Sequence, residues 1–86
     1  MIIKKKCWPK QFTQVLLGEK RYELRLADFD VSKDDTLILE EYNPETKEYT
    51  GRTIEKKVSF VTKFDINAFG QKKDIEEKGL YVIELK

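Results

Sequence analysis

Pro9 and Gly18 bracket the stretch that most constrains this chain. Proline is tolerated at the first position of a helix and glycine just past its end. Phe12, Val15 and Leu16 recur between them at helical spacing, which predicts one short amphipathic helix packed on a sheet. The glycine opens an unusually charged run, Gly18-Glu19-Lys20-Arg21-Tyr22-Glu23-Leu24-Arg25. If residues 20–26 form a strand, Glu23 and Arg25 point to one face and Tyr22 and Leu24 to the other, while Lys20 can swing to either side. Arginine supplies a planar donor fork, glutamate an acceptor or base, and lysine a mobile positive charge. Such a set beside a turn suits a small polar or anionic ligand.

The rest of the chain reads as scaffold for this run. Residues 2–7 form a candidate strand with Ile3 and Cys7 on one face. Lys4, Lys5 and Lys6 there serve either as phosphate contacts or as protection of an exposed strand edge. Trp8 likewise has two uses open: stacking on a base, or stapling onto the helix side chains four residues on. A third strand, 36–42, sets Leu37, Leu39 and Glu41 against Ile38 and Tyr42, and Asn43-Pro44-Glu45-Thr46 turns it into a hairpin that returns through Tyr49-Thr50-Gly51. The fourth strand is long, with Ile54, Val58, Phe60 and Phe64 on one face. Ile66, Ala68 and Phe69 suggest one helical turn, residues 71–78 read as a polar loop or rim, and 80–85 close the chain as a strand with Tyr81, Ile83 and Leu85 inward. Five strands and one inserted helix in 86 residues satisfy their edges best as a small, strongly curved sheet or closed barrel, a mainly β fold with α.

Charge and composition narrow the chemistry. A chain of 86 residues makes one domain, 1–86, that buries only about 60% of its unfolded surface, which argues against a large enclosed active-site cavity. Net charge is +1, but residues 1–25 hold seven Lys/Arg against two Glu, and residues 26–51 hold two against eight Asp/Glu. A local anion-binding patch has this form, and so does a solvated surface of mixed charge. No histidine is present, which removes Ser-His-Asp and Cys-His catalysis, His-ligated zinc and histidine pH switching. Asp28, Asp30, Asp34 and Asp35 lack the spacing and glycine of a calcium loop and read as turn residues, so neither a metal nor a cofactor is expected. One cysteine and no hydrophobic stretch of spanning or signal length lead us to expect a cytoplasmic chain with no membrane partner.

The order of these features resembles the ASCH domain, a member of the PUA-like superfamily. Its signature G-x-K-x-x-E-x-R after a short helix is met by Gly18, Lys20, Glu23 and Arg25. Trp8-Pro9, Asp35 before Leu37-Ile38-Leu39, Glu41-Tyr42, Asn43-Pro44-Glu45-Thr46, Glu48-Tyr49-Thr50-Gly51-Arg52 and Tyr81-Val82-Ile83 extend the likeness, closest to a branch of short bacterial and phage proteins of unassigned function. The resemblance implies a five-stranded PUA-like barrel with a cleft beside the motif that binds RNA, single-stranded by expectation, or a modified nucleoside. Two departures matter. Asp34-Asp35 stands where that branch has Gly-Asp, so an aspartate must take left-handed geometry there. Acetylcytidine amidohydrolases of the superfamily carry Thr where this chain has Glu23, so a nucleophilic hydroxyl does not carry over.

Three functions follow. In a binding module, Gly18, Lys20, Arg21, Glu23, Arg25 and Trp8 form the ligand site. In a small hydrolase acting on RNA or a modified nucleoside, Glu23 is the general base and Lys20 or Arg25 stabilises developing charge, making Lys20 and Glu23 the catalytic candidates. In the third, Glu23 and Arg25 are a structural ion pair. Oligomeric state is left open by the sequence.

Overall fold

The computed structural model describes residues 1–66, 70–81 and 83. In chain order these residues form strand β1 (Ile2–Cys7), helix α1 (Pro9–Leu16), strands β2 (Thr36–Asn43) and β3 (Glu48–Lys57), and helix α2 (Lys72–Lys78). The sheet has three strands in the order β1-β2-β3. β1 and β2 run parallel from Ile2 opposite Thr36 to Cys7 opposite Glu41, and β3 is antiparallel to β2. A parallel pair needs a long crossover, and here α1 and the charged run supply it.

Period-two alternation sorts the core. Cys7 on β1, Leu39 on β2 and Ile54 on β3 turn to the face covered by α1, which contributes Phe12 and Val15, with Leu37 packed against the cluster. Leu39 and Phe12 are the most completely enclosed, each 1% exposed. α1 begins on Trp8, whose extended backbone is what a residue before proline adopts, and Phe12 N–H donates to Trp8 O at 2.9 Å. With Trp8 as the N-cap, Cys7 holds the preceding position and Phe12 the fourth helical one, and both lie in the core. The staple position is therefore filled by Cys7, and Trp8 stays 58% exposed.

The closed five-stranded barrel is not formed. Among the described residues there are three strands in one open mixed sheet and two short helices. Residues 20–26 alternate like a strand but enter no ladder. Arg25 Nη2 anchors them to β1 by donating to Lys6 O at 2.7 Å, and just beyond them the centre of the Phe29 ring lies 3.6 Å from Lys5 Nζ. The expected fourth strand stops at Lys57 because its partner, β2, starts at Thr36, directly opposite. Val58 closes that end by donating to Asp35 O at 2.8 Å and accepting from Asp34 N–H at 2.7 Å, and beyond it Phe60 and Phe64 are exposed rather than core. Leu80, Tyr81 and Ile83 form no strand and are exposed, whereas Leu85 lies outside the described residues. Ala68 and Phe69 of the expected helical turn also lie outside them. Residues 72–78, read as loop, are helical instead, with Asp74 in the first turn and Lys78 in the last to complement the helix dipole.

Two turns behave as their residues dictate. Asn43 Oδ1 accepts from the backbone of Glu45 at 2.9 Å and Thr46 at 3.4 Å, tightening the hairpin. Asp34 adopts φ +75°, the left-handed aspartate expected where glycine is usual.

Candidate functional site

The site is set by how α1 ends. Gly18 takes φ +75° and its N–H donates to Val15 O at 3.1 Å, while Glu19 N–H reaches Gln14 O at 2.9 Å. This is the Schellman pairing, which requires a left-handed residue just past the cap. Lys20 N–H shares the same Gln14 carbonyl at 3.1 Å, so the chain turns back along β1. Lys20, Glu23 and Arg25 then converge. Arg25 Nε donates to Glu23 Oε2 at 2.9 Å, and Lys20 Nζ stands 3.8 Å from Glu23 Oε1. The second arm of Arg25, on Lys6 O, also occupies a carbonyl of the β1 edge.

These groups face an open cleft of about 350 Å³. It is lined by Lys20, Glu23, Leu24 and Arg25 from the charged run and by Lys6, Cys7, Trp8 and Gln11 from the end of β1 and the start of α1. Of the residues expected in the site, Lys20, Glu23, Arg25 and Trp8 therefore meet in one place. Gly18 shapes the approach without lining it, and Arg21 is exposed and lies outside the lining. A second open cleft of about 470 Å³ shares Trp8 and Gln11 but carries only Lys10 and Glu45 as charged groups, so the chemistry concentrates in the first.

Three cleft residues were not anticipated as site residues. Cys7 is buried, and burial, reinforced by the nearby Glu23 charge, raises its thiol above the ordinary value against the opposing pull of Arg25 and Lys20. A thiol held protonated is a poor nucleophile. Leu24 is exposed on the wall. Gln11 lies one helical turn before buried Val15, and a polar residue on the apolar stripe is the signal that marks it. Its Oε1 is buried without a hydrogen-bond partner, as is Glu23 Oε1.

On the same sheet face, Glu41 is buried and fully engaged. Arg52 holds it with Nε to Oε1 at 2.9 Å and Nη2 to Oε2 at 2.7 Å, and Thr50 Oγ1 donates to Oε1 at 2.6 Å. A register shift between Glu40 and Tyr42, with Gly51 at φ +93°, places residues 50 to 52 opposite one β2 residue and aims two donors at one carboxylate. The Arg52 guanidinium also lies 4.9 Å from the centre of the Phe12 ring. The Arg52 bonds first, then Thr50, hold the Glu41 carboxyl below its ordinary range despite its burial. With both oxygens of Glu41 engaged, this pair fastens β3 to β2. Among the described residues no group of three or more Cys, Asp or Glu is placed to hold a metal ion, and no helix is long and apolar enough to cross a membrane.

A family described as a domain of unknown function, DUF3850, matches residues 3–75. The chain belongs to the DUF3850 family. The match takes in the whole of the DUF3850 core, all eight residues lining the charged cleft and the Glu41–Arg52 pair. No curated protein and no solved structure matches the chain.

Proposed function

We propose that this chain is a binding module for RNA or a modified nucleoside, with the Lys20–Glu23–Arg25 cleft as its site and an ASCH-type motif as the source of the charged set. The observation that carries this is the convergence of those three side chains with an exposed tryptophan in one cleft of about 350 Å³, within the range of small-ligand sites. Trp8 offers a face for a base, Lys20 a cation for phosphate, and Glu23 an acceptor for an amine or hydroxyl. A purely structural ion pair is the weaker explanation. The side chains of Lys20, Glu23 and Arg25 line the cleft and remain 18%, 20% and 33% exposed, whereas the carboxylate that fastens β3, Glu41, is closed off at 5%.

One observation favours a second reading at the same place. Glu23 Oε1 accepts no hydrogen bond, which is where a water would be held if Glu23 acted as general base in hydrolysis, with Lys20 stabilising the charge that develops.

Trp8 is the sole tryptophan, so its fluorescence reports occupancy directly. Titration with a short single-stranded RNA and with nucleosides is expected to quench it. For the RNA, affinity falls as salt rises, and Lys20→Ala lowers the logarithmic salt slope by about 0.7, the contribution of one phosphate contact. Unchanged affinity in both Lys20→Ala and Arg25→Ala would remove the cleft from consideration. Product growing with time, and abolished by Glu23→Gln, would replace the module with the hydrolase.

A further inference from the structure

Hydrogen-bonding groups in the cleft are out of balance. Gln11 and Glu23 both line it, and each keeps a buried Oε1 with no hydrogen-bond partner. Buried polar atoms are nearly always paired, so two orphans of the same kind beside one cleft point to what is missing. Two nearby donors are already committed. Arg25 gives Nε to Glu23 Oε2 and Nη2 to Lys6 O, and the Cys7 thiol turns to Trp8 O at 3.8 Å. Lys20 Nζ, at 3.8 Å from Glu23 Oε1, stands beyond hydrogen-bond range. Neither Oε1 therefore receives a hydrogen bond from the groups around it.

Resting on the nucleobase reading above, we propose that the cleft selects bases by the donors on their edge, with Gln11 as a specificity-determining residue beside Glu23. Guanine is the fullest match, because its N1–H and N2–H donors lie side by side. Uracil places a carbonyl on each side of its one N–H, setting oxygen against oxygen. Adenine and cytosine present an amine beside a ring nitrogen that itself accepts, and fall between. A site built to accept hydrogen bonds rejects ligands that lack the donors, since its own buried oxygens are then left unpaired.

The test is calorimetric titration of the full chain with guanosine, inosine, cytidine, adenosine and uridine. Inosine is guanosine without the N2 amine. Guanosine is expected to bind about tenfold more tightly than inosine, the effect of one hydrogen bond to a buried acceptor, and uridine the most weakly of the five. Gln11→Leu narrows the guanosine–inosine gap, and Gln11→Glu, which keeps an acceptor oxygen and is the milder change for the helix, preserves it. Equal affinities for all five nucleosides would overturn donor selection and leave nucleoside binding standing. An undiminished guanosine preference in Gln11→Leu would overturn the role of Gln11. Binding of none of the five would overturn both this inference and the nucleoside site on which it rests.

Discussion

Replacing Gly18 by alanine tests the link between the end of α1 and the cleft. Gly18 holds φ +75°, and a β-carbon built there meets no atom within 4 Å. The cost of Gly18→Ala is therefore conformational and contains no clash. Holding an L-residue in the left-handed region costs about 1–2 kcal/mol. Alanine recovers about 0.4–1 kcal/mol by narrowing the unfolded ensemble. The net loss is about 1 kcal/mol, which for a domain of this size lowers Tm by about 4–8 °C. Urea or thermal unfolding followed by circular dichroism reads it. A chemically synthesised chain with D-alanine at position 18 sharpens the test, because the D-residue takes positive φ without penalty and keeps the entropic gain, so the sign reverses to a stabilisation of about 0.4–1 kcal/mol. Gly18→Ala also weakens ligand binding, since the same cap fixes the backbone of Lys20 on Gln14 O. If Gly18→Ala is as stable as the parent, or the two alanine enantiomers behave alike, the left-handed cap is not what ends this helix.

Other expectations follow from the same contacts. Glu23→Gln/Arg25→Met changes stability by less than about 1 kcal/mol, because both charges leave together and neither is stranded, while removing ligand binding; a loss of several kcal/mol in urea would restore the structural-pair reading. Glu41 is held below its ordinary value of 4.5, first by Arg52 and then by Thr50. Its contribution is thus complete above that pH and is lost as pH falls through the depressed folded value, so Glu41→Gln flattens the acid limb of a stability–pH profile. Asp35, lowered from 3.8 by the N-terminal ammonium and then by the Ser32 N–H, leaves a residual acid slope of the same sign. Cys7, buried and with its pKa raised, reacts slowly with a thiol reagent at neutral pH and rapidly in urea; equal rates would place it on the surface. Leu39→Ala costs about 2–5 kcal/mol in chemical unfolding, the range for emptying an enclosed leucine site.

Local chemistry was legible in the sequence where a residue carries its own geometric demand. Pro9 and Gly18 marked the limits of α1 to within a residue or two and Asn43 and Pro44 marked the hairpin, whereas the left-handed Asp34 was expected only from the resemblance to an ASCH branch with glycine at that place. Alternation proved less informative. In residues 20–26 it imitates a strand, yet a strand needs a partner backbone, and no pattern within one segment reveals whether a partner is there. The same holds for Phe60 and Phe64, which alternate correctly after β2 has run out of residues to pair with. Pro9 starts the helix as read, but that makes Trp8 the N-cap and gives the staple position before it to Cys7, which leaves the tryptophan for the cleft. Lys20, Glu23 and Arg25 were visible as a motif. The Glu41–Arg52–Thr50 cluster was not, because it depends on a register shift between strands that neither strand shows alone.

The most direct test of the central claim is an amide chemical-shift titration of the isotopically labelled chain with single-stranded RNA, cytidine, acetylated cytidine and guanosine. Binding at the proposed cleft shifts residues 6–11 and 18–25 in a saturable way and leaves α2 unchanged. Saturable shifts centred on α2 or on the outer edge of β3, or no shifts from any of the four ligands, would contradict the assignment of the Lys20–Glu23–Arg25 cleft as a nucleoside- or RNA-binding site.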